Sequence, residues 1–245
     1  GAPHRRHRLR GRRAGVITNV ATHTKKVIFH PGMMPKVVIC DAELTVGLPP
    51  MLTAGTGMDA LAHCLEAYCA PSYHPMAEGI AVEGIRLVQE NLLAAYQDGS
   101  DIEARANMLS AAAMGATAFQ KGLGAIHALS HPVGAIHDTH HGLTNAVFMP
   151  YVLDYNRDQI EAKIERLAAW LEIEGGFSGF LDLVLRLRRD LGIPHTLGRI
   201  GVDDSNFERM APMAEADPTA GGNPRPFTAS DALELYGRAL DGRLG

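Results

Sequence analysis

Residues 48–68, LPPMLTAGTGMDALAHCLEAY, mark the point at which the character of this 245-residue chain changes. Pro49 and Pro50 end a β-branched, extended part, and the residues after them carry Ala, Leu and Met at helical spacing. Asp59 and His63 lie four residues apart in this apolar helix, so both project from one face. They are either two ligands of one metal ion or a hydrogen-bonded pair without chemistry, and the stretch alone does not distinguish the two.

The rest of the chain predicts a mainly α fold preceded by a few strands. Short β-branched runs at 15–20, 25–30 and 36–41 predict three strands. Helical periodicity predicts nine helices, at 53–70, 75–96, 102–120, 122–131, 142–155, 158–171, 177–191, 204–215 and 228–240. Asp101 and Thr228 are expected N-caps, and Pro132 is expected to kink or end the fourth helix.

Composition excludes several classes of protein. The chain is 46% apolar and 20% charged with a formal net charge of −4, which is not typical of a nucleic-acid-binding or membrane surface. No apolar run approaches the roughly 18 residues of a membrane span. Three cysteines lack the spacing of a disulfide framework or a metal site, which favours a reducing compartment, and we expect the cytoplasm. Cys64 and Cys69 are expected to be buried and inert.

Histidines cluster in GAIHALSHPVGAIHDTHHGLTNAV, residues 124–147. His127 and His131 repeat the four-residue spacing, and His141 lies at the turn into the next helix. Imidazoles with one carboxylate suit Fe²⁺ or Zn²⁺ and leave a coordination position open for substrate. A histidine on an apolar helix face is more often a hydrogen-bonded core residue, so spacing alone leaves a metal site and a buried histidine cluster as equal interpretations.

With these segments, the chain resembles the iron-containing (group III) alcohol dehydrogenase family. The similarity rests on 48–68, on 122–156, and on LGIPHTLGRIGV (191–202) through NPRPFTASDALELY (223–236). It implies a dehydroquinate synthase-like helical domain. The metal ligands that it implies are Asp59, His63, His127 and His141.

The resemblance also implies a reaction. A divalent metal, Fe²⁺ with Zn²⁺ as the alternative, would hold the substrate oxygen while hydride passes between a small alcohol or aldehyde and NAD(P). His131 would lie near the nicotinamide and relay the proton. Lys25 falls where family members often have a cofactor-contacting lysine, and the alternative, an exposed lysine on a strand, is the more common case. His137 and His140 are expected to be surface or supporting residues. The family resemblance makes a homodimer plausible, and it implies neither a nucleic-acid nor a membrane partner.

The sequence departs from the family at its start. Full-length relatives carry a Gly-Gly-Gly-Ser phosphate loop that this chain lacks, so we interpret residues 1–49 as a remnant of the nucleotide-binding domain and 50–245 as the helical metal-binding domain. When the cofactor loop of relatives is written in GC-rich codons and translated in a shifted reading frame, the product is HRRHRL, the residues found at 4–9. This match predicts a frameshift within 1–13. We therefore expect metal binding but weak or absent NAD(P)-dependent turnover. The alternative is a non-catalytic metal-binding remnant or oligomerisation module.

Overall fold

A computed structural model describes residues 14–19, 24–30, 32 and 35–244. Its first elements are two antiparallel strands, β1 (Ala14–Asn19) and β2 (Thr24–Phe29), with Val16 opposite Val27. The hypothesis of a frameshift concerns residues outside the described ones. The division into 1–49 and 50–245 stays a prediction, although the first helix does begin at Pro50.

The predicted third strand, at 36–41, is wrong. Residues 37–40 have no regular secondary structure, and the side chains of Val37 and Ile39 are 76% and 83% exposed. A strand needs a neighbour to pair its backbone groups, and in the described part of the chain the sheet consists of β1 and β2. High β-propensity alone does not replace that partner.

Nine α-helices follow within the described residues, which confirms the mainly α fold. Their bounds are α1 Pro50–Cys69, α2 Pro75–Gln97, α3 Ile102–Ala118, α4 Ala125–Ile136, α5 His141–Tyr155, α6 Arg157–Trp170, α7 Gly176–Asp190, α8 Phe207–Glu215 and α9 Ala229–Asp241. The expected N-caps are confirmed: Asp101 accepts from the Ala104 N–H at 2.9 Å, and Thr228 forms a capping box with Asp231.

The fourth helix continues past Pro132 to Ile136, so the predicted end at residue 131 is wrong. A proline inside a helix removes one backbone hydrogen bond. Packing offsets that loss here, because α4 lies against both α5 and α8, and Leu129 and Val133 are completely buried. Burial on several sides thus overrides a local helix-breaking signal.

Helix α1 lies at the centre of the domain. It packs on α2, α3 and α5, and its residues from Thr53 to Cys69 are buried apart from Thr56 and Asp59. Its C-terminal end is held by the buried Lys121, whose Nζ donates to the carbonyl oxygens of Ala67, Tyr68 and Ala70 at 3.0, 3.2 and 2.5 Å. An anchored central helix gives Asp59 and His63 fixed positions.

Candidate metal centre

Four predicted ligands meet where α1, α4 and α5 converge. Asp59 and His63 come from α1, His127 from α4, and His141 is the first residue of α5. The Nε2 atoms of His63, His127 and His141 lie 3.9, 3.6 and 3.4 Å from the Asp59 Oδ1 atom. Three imidazoles from three helices therefore face one carboxylate oxygen.

The donor set fits a divalent first-row metal ion. One ligand atom from each of Asp59, His63 and His127 lies within 4.8 Å of the others. Metal bonds of about 2.0–2.2 Å to nitrogen and oxygen bring ligand atoms to somewhat shorter mutual separations, so a small contraction places them around one ion. Carboxylate oxygen with imidazole nitrogen suits iron and zinc alike.

The charges of the cluster support one another. Burial disfavours the charged Asp59 carboxylate, but His63, His141 and His127 outweigh it and hold the pKa of this group well below its usual range. Burial likewise disfavours a charged His127, yet the carboxylates of Glu66 and Asp59 raise its pKa to about 9. The carboxylates therefore favour positive charge at this point, which a protonated His127 supplies when no metal is bound and which a metal ion would replace.

Glu66 is a supporting residue that sequence reasoning missed. Its Oε2 lies 2.6 Å from the His127 Nδ1 atom, and its Oε1 accepts the Ile126 N–H at 2.7 Å. The carboxylate accepts the Nδ1 proton, which leaves Nε2 of His127 as the nitrogen that would coordinate a metal ion beside Asp59. A sequence signal did exist, because Glu66 follows Asp59 by seven residues and shares its face of α1.

His131 lies one helical turn beyond His127 and has its own carboxylate partner. Its Nδ1 atom is 2.8 Å from Oδ2 of Asp217, and its ring stacks on that of His141 with centroids 5.4 Å apart. Asp217 is held in turn by the backbone N–H and the hydroxyl of Thr219, at 2.9 and 2.6 Å. Asp217 follows α8, far from His131 in the chain, and no sequence spacing pointed to it.

Two glycines set the close approach of the helices that carry the ligands. A Cβ atom on Gly142 would lie 2.1 Å from the carbonyl oxygen of Gly55, so α5 crosses α1 at backbone distance directly beside His141. A Cβ atom on Gly115 of α3 would lie 2.9 Å from the Cβ atom of His63. Larger residues at these positions would push the helices, and the ligands with them, apart.

Comparison with known proteins shows the family of the chain. Residues 53–240 match the family model described as "Fe-containing alcohol dehydrogenase family, C-terminal". The chain belongs to the iron-containing alcohol dehydrogenase family. It is 40% identical to 4-hydroxybutyrate dehydrogenase of Cupriavidus necator over 226 residues, which cover 88% of this chain and 59% of the relative. It is 37% identical to 1,3-propanediol dehydrogenase of Citrobacter freundii, covering 92% of this chain and 60% of that protein.

A solved structure shows the same arrangement of helices. The crystal structure of a 1,3-propanediol oxidoreductase matches 94% of this chain and 62% of its own with a TM-score of 0.89 at 35% identity. The chain therefore spans about 60% of the length of the family members that it matches. None of the helices in the described part is both long and apolar enough to cross a membrane.

The remaining candidates of this family member take different positions. Lys25 belongs to β2, whose backbone lies beside α4, the helix of His127 and His131. His140 caps α5, because its Nδ1 accepts the Leu143 N–H at 3.3 Å, which agrees with the predicted supporting role. Both thiols on α1 are buried, and burial raises the pKa of each to about 12, as expected for inert cysteines.

Proposed function

We propose that this chain carries the metal-binding half of an alcohol dehydrogenase. Asp59, His63, His127 and His141 would bind Fe²⁺, with Zn²⁺ as the alternative. The observation that carries the proposal is the convergence of three imidazole Nε2 atoms on one oxygen of Asp59, at 3.4–3.9 Å. One carboxylate oxygen and three imidazole nitrogens, brought from three helices to one point, make up the donor set of a divalent first-row metal ion.

The reaction proposed for the site is the oxidation of a small alcohol by NAD(P)⁺ to the aldehyde, NAD(P)H and a proton, and its reverse. A bound metal would supply Lewis acidity toward the substrate oxygen, and the nicotinamide would take up or release the hydride. Relatives named 4-hydroxybutyrate, 1,3-propanediol and NAD-dependent methanol dehydrogenases support this substrate class and cofactor.

His131 is proposed to carry the proton. Asp217 accepts the Nδ1 proton of this ring, so Nε2 is left to take the proton that the alcohol releases or to return it to the aldehyde. Its stacking on the ring of His141 keeps it beside the metal ligands. His131 and Lys25 would also contact the cofactor, which the position of β2 beside α4 supports.

The alternative function is a non-catalytic metal-binding or oligomerisation module. It is favoured by the placement of all four proposed metal ligands within the helices, while the chain spans about 60% of its relatives. A homodimer and a cytoplasmic location are further expectations; sedimentation velocity tests the first.

Metal analysis combined with NADH titration decides between the two functions. Stoichiometric metal that is lost in Asp59→Ala and His63→Ala supports the metal centre. Saturable quenching of NADH fluorescence, together with oxidation of a primary alcohol, supports the dehydrogenase. Stoichiometric metal without NADH binding supports the non-catalytic module, and wild-type chain that retains no metal after reconstitution with Fe²⁺ or Zn²⁺ contradicts both.

A further inference from the structure

A buried amide lies among the ligand atoms, and no motif singled it out. Asn145 of α5 is completely buried and follows His141 by one helical turn. Its Nδ2 atom donates to Oδ1 of Asp59 at 2.7 Å. The same nitrogen lies 3.3 Å from Nε2 of His127 and 3.2 Å from Nε2 of His141. One amide group therefore touches three of the four proposed ligands.

The orientation of this amide is dictated by the ligand atoms. A carboxylate oxygen is an acceptor, and the imidazole nitrogens of His127 and His141 that would bind a metal ion must present lone pairs as well. An amide oxygen turned toward them would meet acceptors, whereas the two N–H bonds of Nδ2 match them. This orientation has a cost in free energy at the amide oxygen, since Oδ1 of Asn145 is buried without a hydrogen-bond partner among the described residues.

From this geometry we propose that Asn145 is a positioning residue of the metal centre, which orients the Asp59 carboxylate. The inference rests on the proposed metal site. Asp59 is the most exposed of the four proposed ligands, with 26% of its side chain accessible. A carboxylate with that freedom needs a fixed donor to keep one oxygen directed at the imidazoles. Hydrogen-bond partners of this kind are worth about 10–100-fold in metal affinity.

A role in packing alone makes a different prediction. Asn145 is 0% exposed on the helix that crosses α1, so an apolar side chain of equal size would serve for packing alone. Asn145→Leu keeps the branched shape and the number of non-hydrogen atoms, is somewhat larger, and removes the N–H donors. Asn145→Ala removes both the bulk and the donors and cannot clash. Asn91→Ala is the matched control, because Asn91 is a partly buried asparagine of α2 that hydrogen-bonds Leu87 and Asn107 rather than the ligands.

The test is a Co²⁺ titration followed by the d–d absorption bands, with the melting temperature of the metal-free chain as the folding check. We expect Asn145→Leu and Asn145→Ala to bind Co²⁺ about 10–100-fold more weakly and with altered bands, because the carboxylate is no longer held. Asn91→Ala should titrate as the wild type does. Wild-type affinity and wild-type bands in a folded Asn145 variant would overturn the proposal.

A measurement on the unmodified chain covers the case in which both variants unfold. In an NMR titration of the wild-type chain, we expect Zn²⁺ to shift the side-chain amide resonances of Asn145. Resonances that do not move on addition of Zn²⁺ overturn the proposal. Failure of the metal site itself looks different, because Asp59→Ala would then bind Co²⁺ as well as the wild type. Loss of binding in Asp59→Ala with full binding in Asn145→Leu rejects the role of Asn145 alone.

Discussion

Replacing Glu66 by glutamine tests how the centre is built, because it exchanges one acceptor oxygen for an NH₂ donor with little change in volume. Both partners are buried, Glu66 at 6% and His127 at 2% exposure, so water does not substitute for the lost contact. If the amide oxygen stays on the Ile126 N–H, the new NH₂ group faces Nδ1 of His127. The ring proton then moves to Nε2, the atom 3.6 Å from Asp59, and the lone pair for the metal is lost.

If the amide oxygen faces His127 instead, the NH₂ group meets the Ile126 N–H, and a buried donor without a partner costs about 1–3 kcal/mol. Either orientation weakens the centre. Loss of such a partner costs about 10–100-fold in metal affinity, which corresponds to about 1.4–2.8 kcal/mol. We therefore expect Glu66→Gln to bind Zn²⁺ that much more weakly.

Competition with a chromophoric chelator at neutral pH measures this loss, with circular dichroism as the folding check. Glu90→Gln is the control, since Glu90 is exposed on α2 and pairs with Arg86 on the surface. A folded Glu66→Gln chain with an affinity within about twofold of the control would refute the role of Glu66 in supporting the metal centre.

Three further changes have defined outcomes. Gly142→Ala places a Cβ 2.1 Å from a backbone carbonyl oxygen of α1, so chemical denaturation should show a loss of about 1–3 kcal/mol in the free energy of unfolding. The control Gly237→Ala, whose Cβ has nothing within 4 Å, should show no such loss. Equal stabilities of the two variants would contradict the close crossing of α1 and α5. Burial opposes charge on Glu78, but hydrogen bonds from Lys121 and the neighbouring Lys163 outweigh it and lower its pKa below 4.5. The ionised Glu78 therefore contributes to the stability of the folded chain above pH 4.5, and this contribution is lost as pH falls through the lower folded pKa. Glu78→Gln should be about 1–2 kcal/mol less stable than wild type at neutral pH and equally stable in acid. A difference in stability that persists in acid would refute this prediction. Cys40 is exposed and the other two thiols are buried, so Ellman's reagent should titrate one thiol in the folded chain and three after denaturation.

The elements that sequence predicted well depend on local signals. Helical periodicity and N-cap residues lie within a few positions of one another, and all nine predicted helices exist, with the expected caps at Asp101 and Thr228. The two wrong predictions, the third strand and the end of the fourth helix, both depend on packing partners that are distant in the chain. The run at 36–41 has strand composition but no strand to pair with among the described residues, and α4 continues through Pro132 because α5 and α8 enclose it.

Residue type and spacing by themselves indicated the helical fold and the two polar pairs, since Asp59 with His63 share a helix face and so do His127 with His131. The four ligand candidates came from the resemblance of these motifs to the family. Only the tertiary structure decided which atoms those ligands present and what holds them. Asn145 reaches Asp59 across 86 positions of chain, and Asp217 reaches His131 across the same separation. Contacts of that kind leave no periodic trace, because helix packing rather than chain proximity brings the partners within hydrogen-bonding distance.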